Sequence, residues 1–232
     1  MPGFRVPGSV DRDEAVVVAQ SFVGGWRLAA GKLDVDFAGY VRDSHVTLAL
    51  RPMIDHGPMN RVNGIVVHQT GGATAKSSLD AYLVKGANGA HFLIDKDGTI
   101  YQTASVHRVT HHVGYLKPRC RVEMRCTPAE TQALEGKRAG KEIGRIEAGK
   151  AWPDRYPGNA DAIGIELVGA ATPKAGGGPN DYEYEAVTPA QQKAFDWLLP
   201  RLLDHFNVDA KEVYRHPHVS WKQPSEAASV RW

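Results

Sequence analysis

The sequence predicts an α/β (α+β) fold in which a central β-sheet is covered by helices. Three observations predict it. Two largely apolar runs, Ile65-Val66-Val67 and Ile163 to Val168, have the length and β-branched content of buried strands. An Asp97-Gly98 turn lies between His91-Phe-Leu-Ile94 and Thr99-Ile-Tyr-Gln-Thr103, a hairpin signal because Asp-Gly tolerates positive φ. Phe195, Leu198, Leu199, Leu202, Leu203 and Phe206 recur at the helical period. Strands and helices interleave along the chain, as in a sheet with helical layers.

Taken in order, residues 12–23 read as a short helix that Gly24-Gly25 ends. Thr47 to Leu50 is a short strand, and Pro52, Gly57 and Pro58 make a loop. The ordered centre starts at Gly64 with the strand ending in His68, followed by a turn at Thr70-Gly-Gly. Ser77-Ser78 is expected to cap a helix running to about Lys85, with Leu79, Tyr82 and Leu83 on one face. The hairpin follows. Between it and the strand at Ile163 lies a polar stretch, in which residues 117–150 hold nine Lys/Arg against five Glu. Thr127-Pro-Ala-Glu130 in that stretch is a helix start, with Pro at the first turn and Glu placed for a capping box. Residues 171–181 are a Pro/Gly/Ala loop, and Thr188-Pro-Ala-Gln191 opens the last long helix, where Pro200 removes a backbone donor and should kink it. The organisation expected is an extension, 1–60, packed on a domain, 61–232, that carries an insertion at about 115–158.

Composition narrows the function. The chain has 232 residues, 42% apolar and 23% charged, with a net charge of +2. That suits one sizeable core, and the charge is too mild and too dispersed for a nucleic-acid partner. No apolar run approaches the ~20 residues of a membrane span. Met1-Pro-Gly-Phe-Arg-Val-Pro has no signal-peptide h-region, so the chain is expected to be made in the cytoplasm. Its two cysteines, Cys120 and Cys126, are too few for a paired-cysteine zinc site; they are either one small disulfide or two thiols.

The chemistry lies at the edges of the apolar runs. His68 ends a strand, where a rigid sheet would aim an imidazole into a cleft; alone, such a histidine is more often a hydrogen-bonded core residue than a ligand. Glu166 stands inside an apolar strand, where an unpaired carboxylate is costly, so an ion pair or a metal with its water must compensate it. His216 and His218 follow the long helix and, two apart in extended chain, would point the same way. Lys222 and Glu226, four apart, are either a structural pair or an oxygen ligand with an electrostatic clamp. In His111-His112-Val-Gly, His112 is the residue chosen for the cleft. His91 begins a strand and has a structural reading. Together these residues would supply a metal, a base and a cation, the parts of a zinc hydrolase.

The residues Gly64-Ile-Val-Val-His-Gln-Thr-Gly-Gly72, His91 to Gln102, His112-Val-Gly, Asn159, Ile163-Gly-Ile-Glu-Leu-Val-Gly169 and His216 after a Gln-containing helix occur in an order that resembles the type 2 N-acetylmuramoyl-L-alanine amidases, the fold shared with peptidoglycan recognition proteins and phage amidase lysozymes. The resemblance covers about residues 62–230 apart from the insertion. It implies a mixed sheet flanked by helices and a zinc enzyme that cuts the amide between N-acetylmuramic acid and L-alanine of the stem peptide. It implies His68 and His216 as zinc ligands, Glu166 as the group that activates water, and Lys222 facing the reacting carbonyl. Thr70, His91, His112 and Asn159 are assigned to the substrate side.

The third ligand departs from the family pattern, which has Asp or Cys there; Glu226 is chosen, with His218 as the alternative. A recognition module that grips muropeptide without zinc is the competing function. The extension, the insertion and a Cys120–Cys126 bridge favour a cell-wall toxin or lysin that acts in the periplasm after export or injection, with an immunity protein as its expected partner.

Overall fold

The computed structural model describes residues 31–232; the helix expected at 12–23 lies outside them. The strands are β1 (Val46–Leu48), β2 (Gly64–Gly71), β3 (Phe92–Ile94), β4 (Ile100–Gln102), β5 (Ala162–Pro173), β6 (Tyr182–Tyr184) and β7 (Val213–Arg215). The helices are α1 (Ala75–Ala81), α2 (Arg119–Val122), α3 (Pro128–Leu134), α4 (Lys141–Ala148), α5 (Pro189–Phe206) and α6 (His216–Val219). The sheet runs β1-β4-β3-β5-β2-β7, with β6 paired to the far end of β5. Only β3–β4 and β5–β6 are antiparallel, so the sheet is mixed. Among the described residues no helix is long and apolar enough to cross a membrane.

Strand alternation divides the sheet into two faces. Ile65 and Val67 of β2, with Ile163, Ile165 and Leu167 of β5, share a core with Phe195, Leu198, Leu199 and Leu202 of α5. Truncating any one of these to Ala would cost about 2–5 kcal/mol. Leu33, Val41, Val46 and Met59 join that core. The other face carries Val66, His68, Gly164 and Glu166, and there the polar chemistry collects.

The turn signals act as their chemistry dictates. Gly98 has φ +89° in the hairpin. Thr188 and Gln191 form a full capping box on α5, and the buried Gln191 amide also donates to the carbonyls of Ile94 and Val168. The helix continues through Pro200 and stops at Asn207, which is left-handed. Several boundaries differ from expectation: β2 continues to Gly71, into the turn expected at Thr70-Gly-Gly, and β5 continues to Pro173, into the loop expected at 171–181. The cap of α1 is Thr74, whose hydroxyl accepts from Ser77 N–H, so the helix starts a turn earlier than Ser77-Ser78 suggests. It also stops before Tyr82, and Leu83 is exposed.

The stretch carrying α2, α3 and α4 has a small core of Cys120, Leu134 and Ile143, with Trp221 packed on it. Cys120 and Cys126 are bonded, and Thr127–Glu130 makes a capping box on α3. Arg119 fastens α2 to the main body with a two-pronged pair to the buried Glu212, at 2.9 and 3.1 Å.

Candidate metal centre

Three parallel strands bring the site together. In the β2–β5 register His68 stands opposite Glu166. On the other side of β2, Arg215 of β7 stands opposite Val67, so His216, the next residue, arrives abreast of His68. His68 and Glu166 lie within β2 and β5, and His216 directly follows the carboxyl end of β7.

Glu226 comes from a turn after α6 that two residues pin to the sheet. Gln69, next to His68, accepts from Ala227 N–H through its side-chain oxygen at 2.9 Å. Arg215 donates to the Ala227 and Val230 carbonyls. Ala227 has φ +56°, a conformation that this clamping maintains.

His68, His216 and Glu226 are all buried, and one donor atom from each lies within 4.8 Å of the others. Glu226 Oε1 is 2.8 Å from His216 Nδ1 and 3.6 Å from His68 Nδ1. Ligands about 2 Å from a tetrahedral zinc stand roughly 3.4 Å apart, and the two distances straddle that spacing. Burial disfavours charge on Glu226, yet its contacts with His216 and His68 prevail and hold the carboxyl down at about 2. Burial, reinforced by the nearby His216, lowers His68 to about 4. A neutral His68 and an ionised Glu226 therefore face each other at neutral pH.

The direction of the His68 ring tests the fit to a metal. His112 Nε2 lies 3.1 Å from the Ala162 carbonyl, which can only accept. Burial, with His68 and His91 nearby, holds the His112 ring neutral by pushing its pKa well down. Its Nδ1 is then an acceptor, so the bond to His68 Nε2 at 2.9 Å is donated by His68. His68 Nδ1 keeps its lone pair and points it at a carboxylate. Two acceptors aimed at one point call for a cation between them, and two nitrogens with one oxygen suit zinc.

Glu166 is half-buried beside this cluster. Burial raises its pKa and the Glu226 charge adds to that, against a lowering bond from Tyr82. Tyr82 donates its hydroxyl to Glu166 Oε2 at 2.5 Å. Lys222 is exposed, and its charge reaches His68 and Glu166. The Lys222–Glu226 pair is not formed, because Glu226 turns inward to the histidines.

Other expected residues take different places. His218 sits on the short helix α6 rather than extended chain, so it diverges from His216. Its Nε2 meets the Tyr156 hydroxyl at 3.1 Å, and it stacks on Tyr214. His91 is fully buried: Nε2 donates to the Arg108 carbonyl and Nδ1 accepts from Gly164 N–H, which leaves no ring nitrogen for a substrate. His112 is likewise spent on Ala162 and His68. Asn159 Oδ1 accepts from the amides of His112 and Val113. Thr70 donates to the Gly72 carbonyl and accepts from Gly169 N–H. Tyr82 and Gln69 went unassigned in the sequence. Gln69 carried a signal, a polar side chain directly after His68 in an apolar strand; Tyr82 read as one apolar contact of a helix face.

A comparison with protein families matches residues 58–228 to the N-acetylmuramoyl-L-alanine amidase family Amidase_2. A comparison with curated proteins found no match. Among solved structures, the chain is similar to the endolysin amidase LysCS from Clostridium intestinale URNW, at 19% identity over 76% of this chain and 84% of that one, with a TM-score of 0.44. It is also similar to a selenomethionine derivative of AmpD, at 17% identity over 83% and 94%, TM-score 0.47, and to AmpDH3 from Pseudomonas aeruginosa, at 18% over 81% and 58%, TM-score 0.45. The family match spans β2, β5, β7 and the turn carrying Glu226, all the segments that bring these side chains abreast, and on that match the chain belongs to the N-acetylmuramoyl-L-alanine amidase family.

Proposed function

We propose that this peptidoglycan amidase is zinc-dependent and hydrolyses the amide between N-acetylmuramic acid and the L-alanine of the stem peptide. The observation that carries the reading is the convergence of His68 Nδ1, His216 Nδ1 and Glu226 Oε1 in a buried cluster beside Glu166. Those three residues would hold the ion. When bound, zinc supplies Lewis acidity, polarising the scissile carbonyl and lowering the pKa of water towards ~7.

The chain's own groups account for the proton. Glu166 takes it from the attacking water and returns it to the leaving L-alanine amine, so the amide becomes a carboxylic acid and an amine. A raised carboxyl pKa suits a base that must also serve as an acid. Tyr82 occupies Oε2, which leaves Oε1 for the water. Lys222 is exposed, and its ammonium makes no hydrogen bond or ion pair among the described residues; it places positive charge where the carbonyl oxygen gains negative charge.

The test is digestion of purified sacculi by wild-type, Glu166→Gln and Glu226→Ala proteins, with products identified by mass. Free stem peptides with an L-alanine N-terminus from the wild type, and little from the variants, support the reading. Glycosidic cleavage, or equal activity in all three, overturns it.

For location, the Cys120–Cys126 bond supports action on the cell wall in an oxidising compartment, as an exported or injected toxin or a lysin. A protein that blocks the cleft would then protect the producing cell. Directing the chain to the periplasm should lyse bacteria, while cytoplasmic expression should not. Survival in both cases would remove this part of the reading.

A further inference from the structure

Both histidines of the cluster lean on one dipeptide. His68 Nε2 donates to His112 Nδ1 at 2.9 Å, and His216 Nε2 donates to the Val113 carbonyl at 2.8 Å. A single side-chain oxygen, Asn159 Oδ1, accepts the His112 and Val113 amides at 3.0 and 2.7 Å, so the dipeptide cannot swing away. The His112 ring is fixed from below as well. It donates to the Ala162 carbonyl and rests on Gly164, where a Cβ would come within 2.8 Å of its Cγ.

The consequence is directional. A histidine is protonated on one nitrogen when neutral, and the hydrogen-bond partner of that nitrogen decides which one remains open. Here the partners of both Nε2 atoms are acceptors, so both Nδ1 atoms are left with lone pairs, and both face Glu226. We propose that His112–Val113, clamped by Asn159, is the positioning element that sets the tautomer and direction of both metal-binding histidines, with His112 acting through His68. This goes beyond the substrate-contact role that the sequence suggests for His112 and Asn159. It rests on the zinc reading above.

Asn and Gln separate the two bonds of His112. Asn carries its oxygen at the distance of Nδ1 and can still accept from His68. Gln carries its amide at the distance of Nε2; it can donate to Ala162 but offers His68 no acceptor. Zinc affinity is measured by chelator competition on purified wild-type, His112→Asn and His112→Gln proteins, with thermal melts of the metal-free forms as the folding control. Loss of a partner of this kind costs a ligand site roughly 10- to 100-fold in affinity, so His112→Gln should bind zinc that much more weakly, with His112→Asn within about threefold of wild type.

Equal affinities for His112→Gln and wild type, or equal losses in both variants, would overturn the proposal while leaving the zinc reading standing. A wild type that does not bind zinc would instead remove the zinc reading and this proposal with it. If His112→Gln does not fold, nitrogen-15 imidazole shifts of metal-free wild type decide: His68 protonated on Nε2 supports the proposal, and protonation on Nδ1 overturns it.

Discussion

His68 and Glu166 are partners across two parallel strands, opposite each other in register and on the same side of the sheet. A ligand and a base thus share one rigid frame, and their separation is set by strand spacing rather than by a loop. Glu166→Gln keeps the volume and the Tyr82 contact but cannot take a proton. It should lower kcat by about 10²–10⁴ while zinc content, measured by mass spectrometry, and Tm stay at wild-type values. Unchanged kcat would remove Glu166 from the chemistry.

Tyr82 reaches Glu166 from just past α1, and its bond favours the ionised carboxylate. Removing that bond in Tyr82→Phe raises the carboxyl pKa further. The acid limb of the kcat–pH profile should therefore move to higher pH, with kcat at neutral pH falling by less than the roughly 10²–10⁴-fold expected when the base itself is removed. A limb that moves to lower pH would contradict the bond's direction.

Glu226 is the choice that the metal site depends on. Glu226→Ala removes the oxygen donor and leaves His216 without its buried partner. Zinc stoichiometry, measured by mass spectrometry, should therefore fall well below one. An alanine variant with a full zinc complement would point to another third ligand.

His91 gives the protein a pH-dependent stability apart from the metal. Burial lowers its pKa from 6.5 to about 4. Above pH 6.5 both folded and unfolded chains hold it neutral, and stability is undiminished. As pH falls below 6.5 the unfolded chain gains a proton that the native ring refuses, so stability drops by about 1.4 kcal/mol per pH unit. The loss levels off near pH 4, where the native ring protonates. Urea titrations of wild type and His91→Gln between pH 4 and 7 should show the smaller slope in the variant.

Gly164 is required by the packing of His112 rather than by backbone conformation. In Gly164→Ala the new methyl would stand 2.8 Å from the His112 ring, and the ring must shift. The expected cost is about 1–3 kcal/mol in stability, accompanied by weaker zinc binding, read from melts and chelator competition. Preserved affinity alongside lost stability would separate packing from ligand orientation.

Much of this was legible in the chain itself. The apolar runs ending at His68 and flanking Glu166 are strands because β-branched residues favour that backbone, and Asp97-Gly98 and Thr188-Pro-Ala-Gln191 specify a turn and a helix start by local bonding alone. His68, Glu166 and His216 could be singled out because each interrupts or follows a recognisable element.

The remainder needed the fold. His216 and His218 are indistinguishable by type and nearly by position, and only the short helix α6 turns one toward the cluster and the other toward Tyr156 and Tyr214. Tyr82, Gln69, His112 and Asn159 acquired their roles from partners tens to more than a hundred residues away. Local sequence determines backbone angles and which way a side chain leaves its own element. Which distant atom it meets depends on strand register and on where a turn such as 223–228 is pinned, and those follow from the packing of the whole domain.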